Sequence, residues 1–245
     1  MTSPSCSKSR ASPPRPPSPC AQSTTLRLRD EGGERKLRTA RWSLVLDKAQ
    51  YFKEFQQKEE NIMEHGVVIW FTGVPASGKS TLAMEVQKRI EAMDLPVENL
   101  DADEVRANLS PNLGYTEEAR DENTKRLAWF ADKLAGYGAN VVIAAVSSMR
   151  RYRDRARDWC EKFVEVYVEA PLEVCQERDP KGLYARAERG EVNDIAGMHQ
   201  PYEPPLHPEV HVKTAESTVE ECADAVMAKL VELGYLPAAA QEAAE

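Results

Sequence analysis

The chain has 245 residues, of which 42% are hydrophobic, and a formal net charge of −8 at pH 7. This length suits one sizeable α/β domain or two small ones, and no apolar run approaches the ~18 residues that cross a bilayer, which excludes a membrane protein. The first 29 residues hold five positive and no acidic side chains, so the rest carries −13 (−8 less 5), which excludes a broad nucleic-acid footprint and leaves any anionic ligand to a few local cations.

Residues 1–40 are rich in serine, proline and arginine and lack hydrophobic periodicity, so we predict a disordered tail. Its composition is similar to that of an organelle transit peptide, but an upstream start codon, with Met63 opening the domain, explains it equally well. We predict a helix or linker over 41–62, the folded domain over 63–237 and a C-terminal tail over 238–245. The cysteines form no CxxC pair, which favours a reducing compartment. We expect a cytoplasmic protein, with organelle import as the alternative.

From Gly66 onward, short apolar runs alternate with longer amphipathic stretches. The runs VVIWF, PVENL, NVVIAAV, FVEVYVE and VHVKT have the length of strands. We predict helices that start near Lys79, Thr116, Arg150, Pro171 and Thr218. Strands that alternate with helices indicate crossover connections, and therefore one domain with a parallel sheet covered by helices.

The stretch GVPASGKS, residues 73–80, matches GxxxxGK[ST] directly between the run VVIWFT and the helix-forming STLAMEVQKRI. Its glycines let the backbone approach a phosphate chain and present N–H groups at a helix N-terminus. Lys79 can reach the β- and γ-phosphates of a nucleotide, and the Ser80 hydroxyl can ligate Mg²⁺. The alternative is a chance glycine turn.

We therefore predict a P-loop NTPase-type fold, a three-layer α/β sandwich with a central parallel sheet. The predicted ATP site contains Gly73, Val74, Pro75, Ala76, Ser77, Gly78, Lys79, Ser80 and Thr81.

Two acids, Asp101 and Asp103 of LDADEVR, follow the second predicted strand. Residues i and i+2 of a strand point the same way, so their carboxylates could converge on one volume. The alternative is a solvated strand end leading into a helix, with Asp103 as N-cap and Arg106 as a surface charge. The third strand ends in Ser147 and Ser148 instead of the magnesium-binding aspartate usual in ATPases and GTPases. Acids after the second strand favour a small-molecule kinase, where they would face the terminal phosphate from the acceptor side.

Five motifs behind the phosphate loop resemble the adenylyl-sulfate kinase (APS kinase) family: LDADEVR, LGYTEEARDENTKR, AVSSMR, PLEVCQERDPKGLYARAERGEV and GMHQPYEPP. The resemblance runs from about Val67 to Val212. It implies transfer of the γ-phosphate of ATP to the 3′-hydroxyl of adenylyl sulfate (APS), giving ADP and 3′-phosphoadenylyl sulfate (PAPS) in sulfate assimilation, with Mg²⁺ as cofactor. It also implies a homodimer, with ATP sulfurylase as a further partner. The alternatives are a P-loop kinase of another small hydroxyl compound and a nucleotide-binding module without turnover.

By this resemblance, Asp101 and Asp103 occupy the two acid positions of the family motif near the magnesium ion and the attacking hydroxyl. Asp103 would orient or deprotonate that hydroxyl, Asp101 would join Ser80 at the metal, and Lys79 would bind the phosphates. Ala102 replaces the family's glycine between the two acids.

The resemblance also implies an acceptor site. Arg106, Arg120 and Asn123 match positions that hold the sulfate–phosphate end and the sugar of APS. Tyr115 takes the place of a phenylalanine that stacks on adenine. Ile195 replaces an aromatic residue at the second face of the adenine, which would weaken stacking by ~1 kcal/mol.

Ser147 and Arg150 match a serine and an arginine beside bound APS, and for Ser147 a cap of the following helix is an equally supported interpretation. The segment RDPKGLYARAERGE resembles the helical lid of the family, which closes over both substrates and excludes water. In the lid, Arg178 would contact ATP, and three residues would contact the acceptor: Lys181, Gly182 and Leu183.

Overall fold

A computed structural model describes residues 65–238 of the chain. The tail predicted over 1–40, the helix or linker predicted over 41–62 and nearly all of the C-terminal tail predicted over 238–245 lie outside the described residues. Within the described residues, no helix combines the length and the apolar character needed to cross a membrane.

Every apolar run that predicts a strand forms one. The strands are β1 (Val68–Thr72), β2 (Val97–Asp101), β3 (Asn140–Ala144), β4 (Phe163–Glu169) and β5 (Val210–Lys213). All neighbouring pairs are parallel, and the spatial order is β2-β3-β1-β4-β5. The first strand therefore lies in the middle of the sheet, between the third and the fourth, and the predicted parallel sheet is confirmed.

Seven helices lie within residues 65–238: α1 (Lys79–Glu91), α2 (Ala102–Leu109), α3 (Glu117–Gly136), α4 (Arg150–Trp159), α5 (Leu172–Arg178), α6 (Leu183–Glu188) and α7 (Val219–Glu232). The five predicted helix starts agree with α1, α3, α4, α5 and α7 to within one residue. Thr116 and Thr218 are N-caps that accept hydrogen bonds from the first turns of α3 and α7. The helix α2 begins directly where β2 ends, without an intervening loop.

Two hydrophobic clusters, one on each face of the sheet, produce the three layers. On one face Ile69 of β1 packs with Val86 of α1 and Val226 of α7. On the other face Trp70 packs with Leu127 of α3. Because both faces of β1 are buried, its sequence is apolar throughout instead of alternating with polar residues. The predicted three-layer sandwich is confirmed.

Gly66 and Gly136 provide a matched test of this packing, because both lie near the N-terminal end of β1. Gly66 precedes the strand, and Gly136 ends α3, whose Ala135 carbonyl accepts from the Gly66 N–H at 2.9 Å. A Cβ added to Gly66 would lie 2.0 Å from the backbone oxygen of Ala139, whereas one added to Gly136 would meet only the His65 ring, at 3.9 Å. We expect Gly66→Ala to lower the free energy of unfolding by about 2 kcal/mol, because the backbone must move. Gly136→Ala should raise it by roughly 0.5 kcal/mol, because alanine favours the helix. Urea unfolding of both variants checks this, and equal effects would contradict the packing.

Candidate active site

The loops that follow the parallel strands all lie at the carboxyl edge of the sheet, where open α/β proteins bind ligands. A cavity of about 1460 Å³ opens there. It is lined by the loop after β1, the β2–α2 junction, the loop after β3, one side of α3 and the segment 178–196. Because β3 lies between β2 and β1, the loop after β3 lies between the β2–α2 junction and the phosphate loop. The segments that carry the sequence motifs therefore meet in one place.

Most of the site residues predicted from the sequence line this cavity. They are Pro75, Ala76, Gly78, Lys79, Ser80, Thr81, Asp101, Asp103, Arg106, Tyr115, Arg120, Asn123, Ser147, Arg178, Lys181, Leu183 and Ile195. Five other predicted residues are not part of its lining: Gly73, Val74, Ser77, Arg150 and Gly182.

The phosphate loop joins β1 to α1. A Cβ on Gly73 would lie 2.4 Å from the backbone oxygen of Val168, so the loop can leave the sheet there only with glycine. Gly78, with φ of 97°, is the N-cap of α1 and provides no side-chain cap. The first N–H groups of α1 therefore face the cavity without a capping side chain, which suits them to bind an anion.

Lys79 is buried at the base of the cavity. Its Nζ donates to the carbonyl of Val74 at 2.7 Å and lies 3.4 Å from Ser77 Oγ. Burial lowers the pKa of Lys79 to about 8, although the nearby charge of Asp103 partly opposes this shift. A buried ammonium without a carboxylate partner among the described residues favours an anionic ligand.

The acid pair is arranged differently from the prediction. Asp101 ends β2 and is itself the N-cap of α2, where its Oδ1 accepts from the backbone N–H of Asp103 at 2.9 Å and of Glu104 at 3.3 Å. Asp103 therefore lies in the first turn of a helix. The prediction that both acids point the same way as residues i and i+2 of a strand was wrong. The alternative, in which Asp103 is the N-cap of the helix, was also wrong. Both carboxylates nevertheless face the same cavity, because the helix starts at its wall.

Asp103 is paired with a lysine of the predicted lid. Its Oδ2 accepts from Lys181 Nζ at 2.5 Å, and both side chains are mostly exposed to the cavity. This hydrogen bond raises the pKa of Lys181, so the lysine remains protonated. A carboxylate and a cation from opposite walls thus meet where a reacting group could lie.

Two arginines lie against the ring of Tyr115. They belong to the wall of the cavity that is formed by α2, α3, the loop between them and the loop after β3. We call it the acceptor wall, after the acceptor site that the resemblance implies. The Arg106 and Arg120 guanidinium carbons lie 4.6 and 5.4 Å from the ring centroid. Arg106 donates to the carbonyl of Gly114 at 2.6 Å, and Arg120 donates to that of Asp194 at 2.6 Å. Burial lowers the pKa of Arg120, but an arginine stays charged in a protein.

Asn123 lies on the same wall, one turn along α3. It is buried, and its Oδ1 has no hydrogen-bond partner among the described residues. A buried polar atom without a partner is costly, so a donor from a ligand would stabilise it.

The loop after β3 fixes Ser147 in an unusual conformation. Its φ is 41°, a left-handed value that residues other than glycine rarely adopt. Its hydroxyl accepts from Trp70 Nε1 at 3.2 Å. Ser147 does not cap the following helix, because Met149 is the N-cap of α4. Arg150 donates from Nε to the carbonyl of Pro204 at 2.8 Å and is not part of the cavity lining.

The predicted lid is packed against the phosphate loop. Tyr184 of α6 is fully buried and donates from its hydroxyl to the carbonyl of Pro75 at 3.0 Å. Around it, Cys175, Ala187 and Ile195 form an apolar cluster with phosphate-loop residues. Gly182 has a φ of 62° and serves as the N-cap of α6.

Arg178 connects the lid to the far end of the cavity. It donates to Thr214 Oγ1 at 2.9 Å and to the Thr214 carbonyl at 2.6 Å, and Thr214 Oγ1 donates to the carbonyl of Ser77 at 2.8 Å. Sequence reasoning missed this end, which is lined by Thr214, Ser217, Thr218, Val219 and Cys222. The only signal is the capping box of Thr218 and Glu221, and it predicts a helix start without placing it at a site.

The family model described as Adenylylsulphate kinase matches residues 65–213, more than half of the chain. The chain belongs to the adenylyl-sulfate kinase family. The adenylyl-sulfate kinase of Synechococcus sp. (strain JA-3-3Ab) is 46% identical over 171 residues, 70% of this chain and 97% of that protein. That of Halothermothrix orenii is 43% identical over 173 residues, 71% of this chain and 94% of that protein.

Solved structures agree with this family. The Mycobacterium tuberculosis APS kinase in complex with AMPPNP and APS is 35% identical, with a TM-score of 0.66 over 69% of this chain and 99% of that chain. A hexameric APS kinase from Thiobacillus denitrificans is 28% identical, with a TM-score of 0.53 over 71% of this chain and 30% of that chain. The resemblance drawn from five motifs is confirmed, and so is the P-loop type of fold.

The buried state of Lys79 predicts a pH dependence of stability in this APS kinase. Between its folded pKa of about 8 and the ordinary value of 10.5, the folded protein has lost a proton that the unfolded chain still binds. Through this group, the free energy of unfolding therefore rises with pH across that window. We expect urea unfolding at about pH 7.5 and about pH 9.5 to show a larger gain for the wild type than for Lys79→Met. Lys88→Met, on the exposed side of α1, controls for the lost charge; equal gains for the wild type and Lys79→Met would contradict the prediction.

Proposed function

We propose that this APS kinase transfers the γ-phosphate of ATP to the 3′-hydroxyl of APS, giving ADP and PAPS, in sulfate assimilation. One observation carries the proposal: a single cavity has a phosphate loop with a buried lysine at one side and a carboxylate with two arginines at the other. Such a cavity can hold a nucleotide and an anionic acceptor together. Lys79 and Asp103 line this one cavity from different segments, which supports their acting on the same bound nucleotide and acceptor.

The residues fit a magnesium ion. Mg²⁺ prefers oxygen ligands and takes few from a protein, the rest being phosphate oxygens and water. Ser80 offers an exposed hydroxyl in the first turn of α1, and the cap bonds of Asp101 use only Oδ1, leaving Oδ2. We propose these two residues as its ligands. Among the described residues, no cluster of three or more His, Cys, Asp or Glu could hold a metal, which agrees with an ion held jointly with phosphates. When bound, it would neutralise charge on the phosphoryl group.

On the nucleotide side, the loop 73–81 would bind the phosphates through its N–H groups and the Lys79 ammonium. Arg178 and the Thr214 end of the cavity lie beside the phosphate loop and would hold the rest of ATP. Lys79 would have to exchange its bond to the Val74 carbonyl for a phosphate oxygen, which is the stronger, charge-assisted partner.

On the acceptor side, Asp103 would orient the 3′-hydroxyl and accept its proton during direct in-line transfer, while Lys181 steadies the carboxylate. Arg106 and Arg120 would hold the sulfate–phosphate end of APS, and Asn123 would accept a hydrogen bond from its sugar. The adenine would contact these residues: Tyr115, Leu183 and Ile195. Ser147 and Gly182 would support this wall through the backbone, and Arg150, which donates to the Pro204 carbonyl, would lie behind it.

Further parts of the proposal rest on the family and on the composition of the chain. We propose a cytoplasmic homodimer with ATP sulfurylase as partner, and a kinase domain over 63–237 between a tail and linker, 1–62, and the short tail 238–245. Because a hexameric APS kinase is among the structural relatives, light scattering of the full chain is the direct measurement of the oligomer.

The function is tested with the purified full chain, ATP, Mg²⁺ and a panel of hydroxyl acceptors, following ADP and the phosphorylated product by chromatography. We expect stoichiometric ADP and PAPS with APS only. ADP formation with a different acceptor and none with APS would replace the proposed substrate, and ATP binding without ADP formation would exclude the enzyme.

Asp103→Asn tests the acid that faces the hydroxyl. We expect kcat to fall by on the order of 10²–10⁴-fold, because the amide cannot accept the proton, while ATP binding stays the same. Glu104→Gln is the matched control, since this neighbouring carboxylate does not line the cavity. An unchanged kcat for Asp103→Asn would remove Asp103 from the mechanism.

Arg120→Ala tests the acceptor wall. Loss of a charge-assisted hydrogen bond should raise the KM for APS by roughly 10- to 100-fold and leave the Kd for ATP unchanged. Lys125→Ala on the same helix serves as control, because Lys125 is exposed and pairs with Glu122 outside the cavity lining. If ATP affinity fell equally, Arg120 would belong to the nucleotide side.

A further inference from the structure

One buried arginine lies at the junction of three segments behind the acceptor wall. Arg153 of α4 has only 1% of its surface exposed and does not line the cavity. The segments around it are the loop after β3, strand β4 and the connector 201–205, which precedes β5. No motif in the sequence marks this residue.

The guanidinium of Arg153 makes one contact with each segment. Its Nε donates to Glu165 Oε1 of β4 at 2.6 Å, Nη2 donates to the Glu203 carbonyl at 2.6 Å, and Nη1 donates to the Ser147 carbonyl. Tyr202 lies beside it, with the guanidinium carbon 5.8 Å from the ring centroid. The planar fork of arginine can bind three acceptors in fixed directions, which a lysine ammonium on a flexible stem does less well.

Ser147 is the point on which these contacts act. Its left-handed φ of 41° is unfavourable for a serine and persists only where neighbours determine it. Arg153 binds its carbonyl, and Trp70 Nε1 donates to its hydroxyl at 3.2 Å. Trp70 is itself completely buried. Two buried donors thus fix the residue, one at its carbonyl and one at its hydroxyl.

The connector holds the same loop from outside. Glu203 donates from its backbone N–H to the Ser148 carbonyl at 2.8 Å, and its Oε2 accepts from the backbone N–H of Arg150 at 2.8 Å. Tyr202 and Thr72 share a hydrogen bond of 3.0 Å between hydroxyls, and Thr72 donates to the Val146 carbonyl at 2.8 Å. Since Arg153 binds the Glu203 carbonyl, it orders both the loop and the segment that clamps it.

We propose that Arg153 is a positioning residue for phosphoryl transfer: through the Ser147 and Glu203 carbonyls it sets the loop after β3, and thereby the shape of the acceptor wall. The inference rests on the proposed function for its kinetic consequences. Arg153 makes none of its three hydrogen bonds to the phosphate loop. The proposal therefore predicts that substitutions of Arg153 change the KM for APS and have little effect on the Kd for ATP.

Arg153→Lys is the informative substitution, with Arg157→Lys as its control. Lysine keeps the positive charge beside Glu165 but cannot also hold both carbonyls. Arg157 lies one turn further along α4 and also contacts Glu165, at 3.3 Å, but its main partner is Glu209. We expect Arg153→Lys to raise the KM for APS at least about tenfold with the Kd for ATP within about twofold, and Arg157→Lys to change neither. An unchanged KM for APS, or an equal loss of ATP affinity, overturns the proposal.

A double variant separates positioning from stability. Arg153→Met with Glu165→Met removes the buried pair together, so neither charge is left unpaired in the core. We expect the double variant to unfold at a higher temperature than Arg153→Met alone while its KM for APS stays raised, because the Ser147 and Glu203 carbonyls still lack their donor. If the KM for APS returns to the wild-type value as stability recovers, Arg153 is only structural and the proposal fails.

A readout without catalysis distinguishes failure of this inference from failure of the proposed function. The Trp70 indole N–H, assigned in NMR spectra with Trp70→Phe, reports on the Ser147 hydroxyl directly. We expect Arg153→Lys to shift this resonance and speed its hydrogen exchange, and Arg157→Lys to leave both unchanged. If the wild type forms no PAPS, the proposed function fails, and this resonance still decides the inference: no change in Arg153→Lys overturns it.

Discussion

A buried ammonium group determines how this site must work. Lys79 lies within the phosphate loop with a carbonyl and a hydroxyl oxygen as its partners, and burial lowers its pKa to about 8. The uncapped N–H groups of α1 add partial positive charge in the same place. The positive field is therefore local, in a chain whose body carries a net negative charge. Burying the Lys79 ammonium costs free energy, and an entering phosphate chain compensates this cost.

The cations of the acceptor wall follow a different rule. Arg106 and Arg120 donate to backbone carbonyls, and Lys181 pairs with Asp103. Arg120 also lies 3.8 Å from the Asp194 carboxylate. These cations are therefore held in fixed orientations by protein partners, and an anion that entered here would meet pre-oriented donors.

The parts of the fold that follow from local chemistry could be predicted. The central strands β1 and β3 are largely apolar because both faces of the sheet are covered there, and the phosphate loop is a contiguous motif. The acid pair shows where such reasoning fails. The sequence argument predicted that Asp101 and Asp103 converge because they extend from a strand. Both acids do line one cavity, but the chain turns into a helix at Ala102. The acids of that first turn, with Asp101 able to cap it, are a helix-start signal that competes with the strand interpretation.

Arg153 and the Thr214 end of the cavity could not be found in this way, because their partners are distant in sequence. The helix α4 contains several arginines, and the fold alone determines that Arg153 faces inward while Arg150 faces the connector. One signal was available: Arg153 shares the helical face of Tyr152 and Ala156, which are buried. An arginine on an apolar face requires acceptors, and such a residue is a candidate for a buried network.

The contacts of the lid restrict how the site can open. Tyr184 is buried against the phosphate loop, and a Cβ on Gly197 would lie 2.7 Å from a methyl group of Val74. If α6 moved as a free flap, it would expose this apolar cluster and leave the Pro75 carbonyl without its donor. The Asp179 carboxylate accepts from the backbone N–H groups of Leu183 and Ala185, which holds the turn 179–182 to α6. Lys181 lies in this turn with its ammonium exposed and pairs with Asp103. The partner of Asp103 is therefore joined to the phosphate loop through α6 and the Tyr184 hydroxyl.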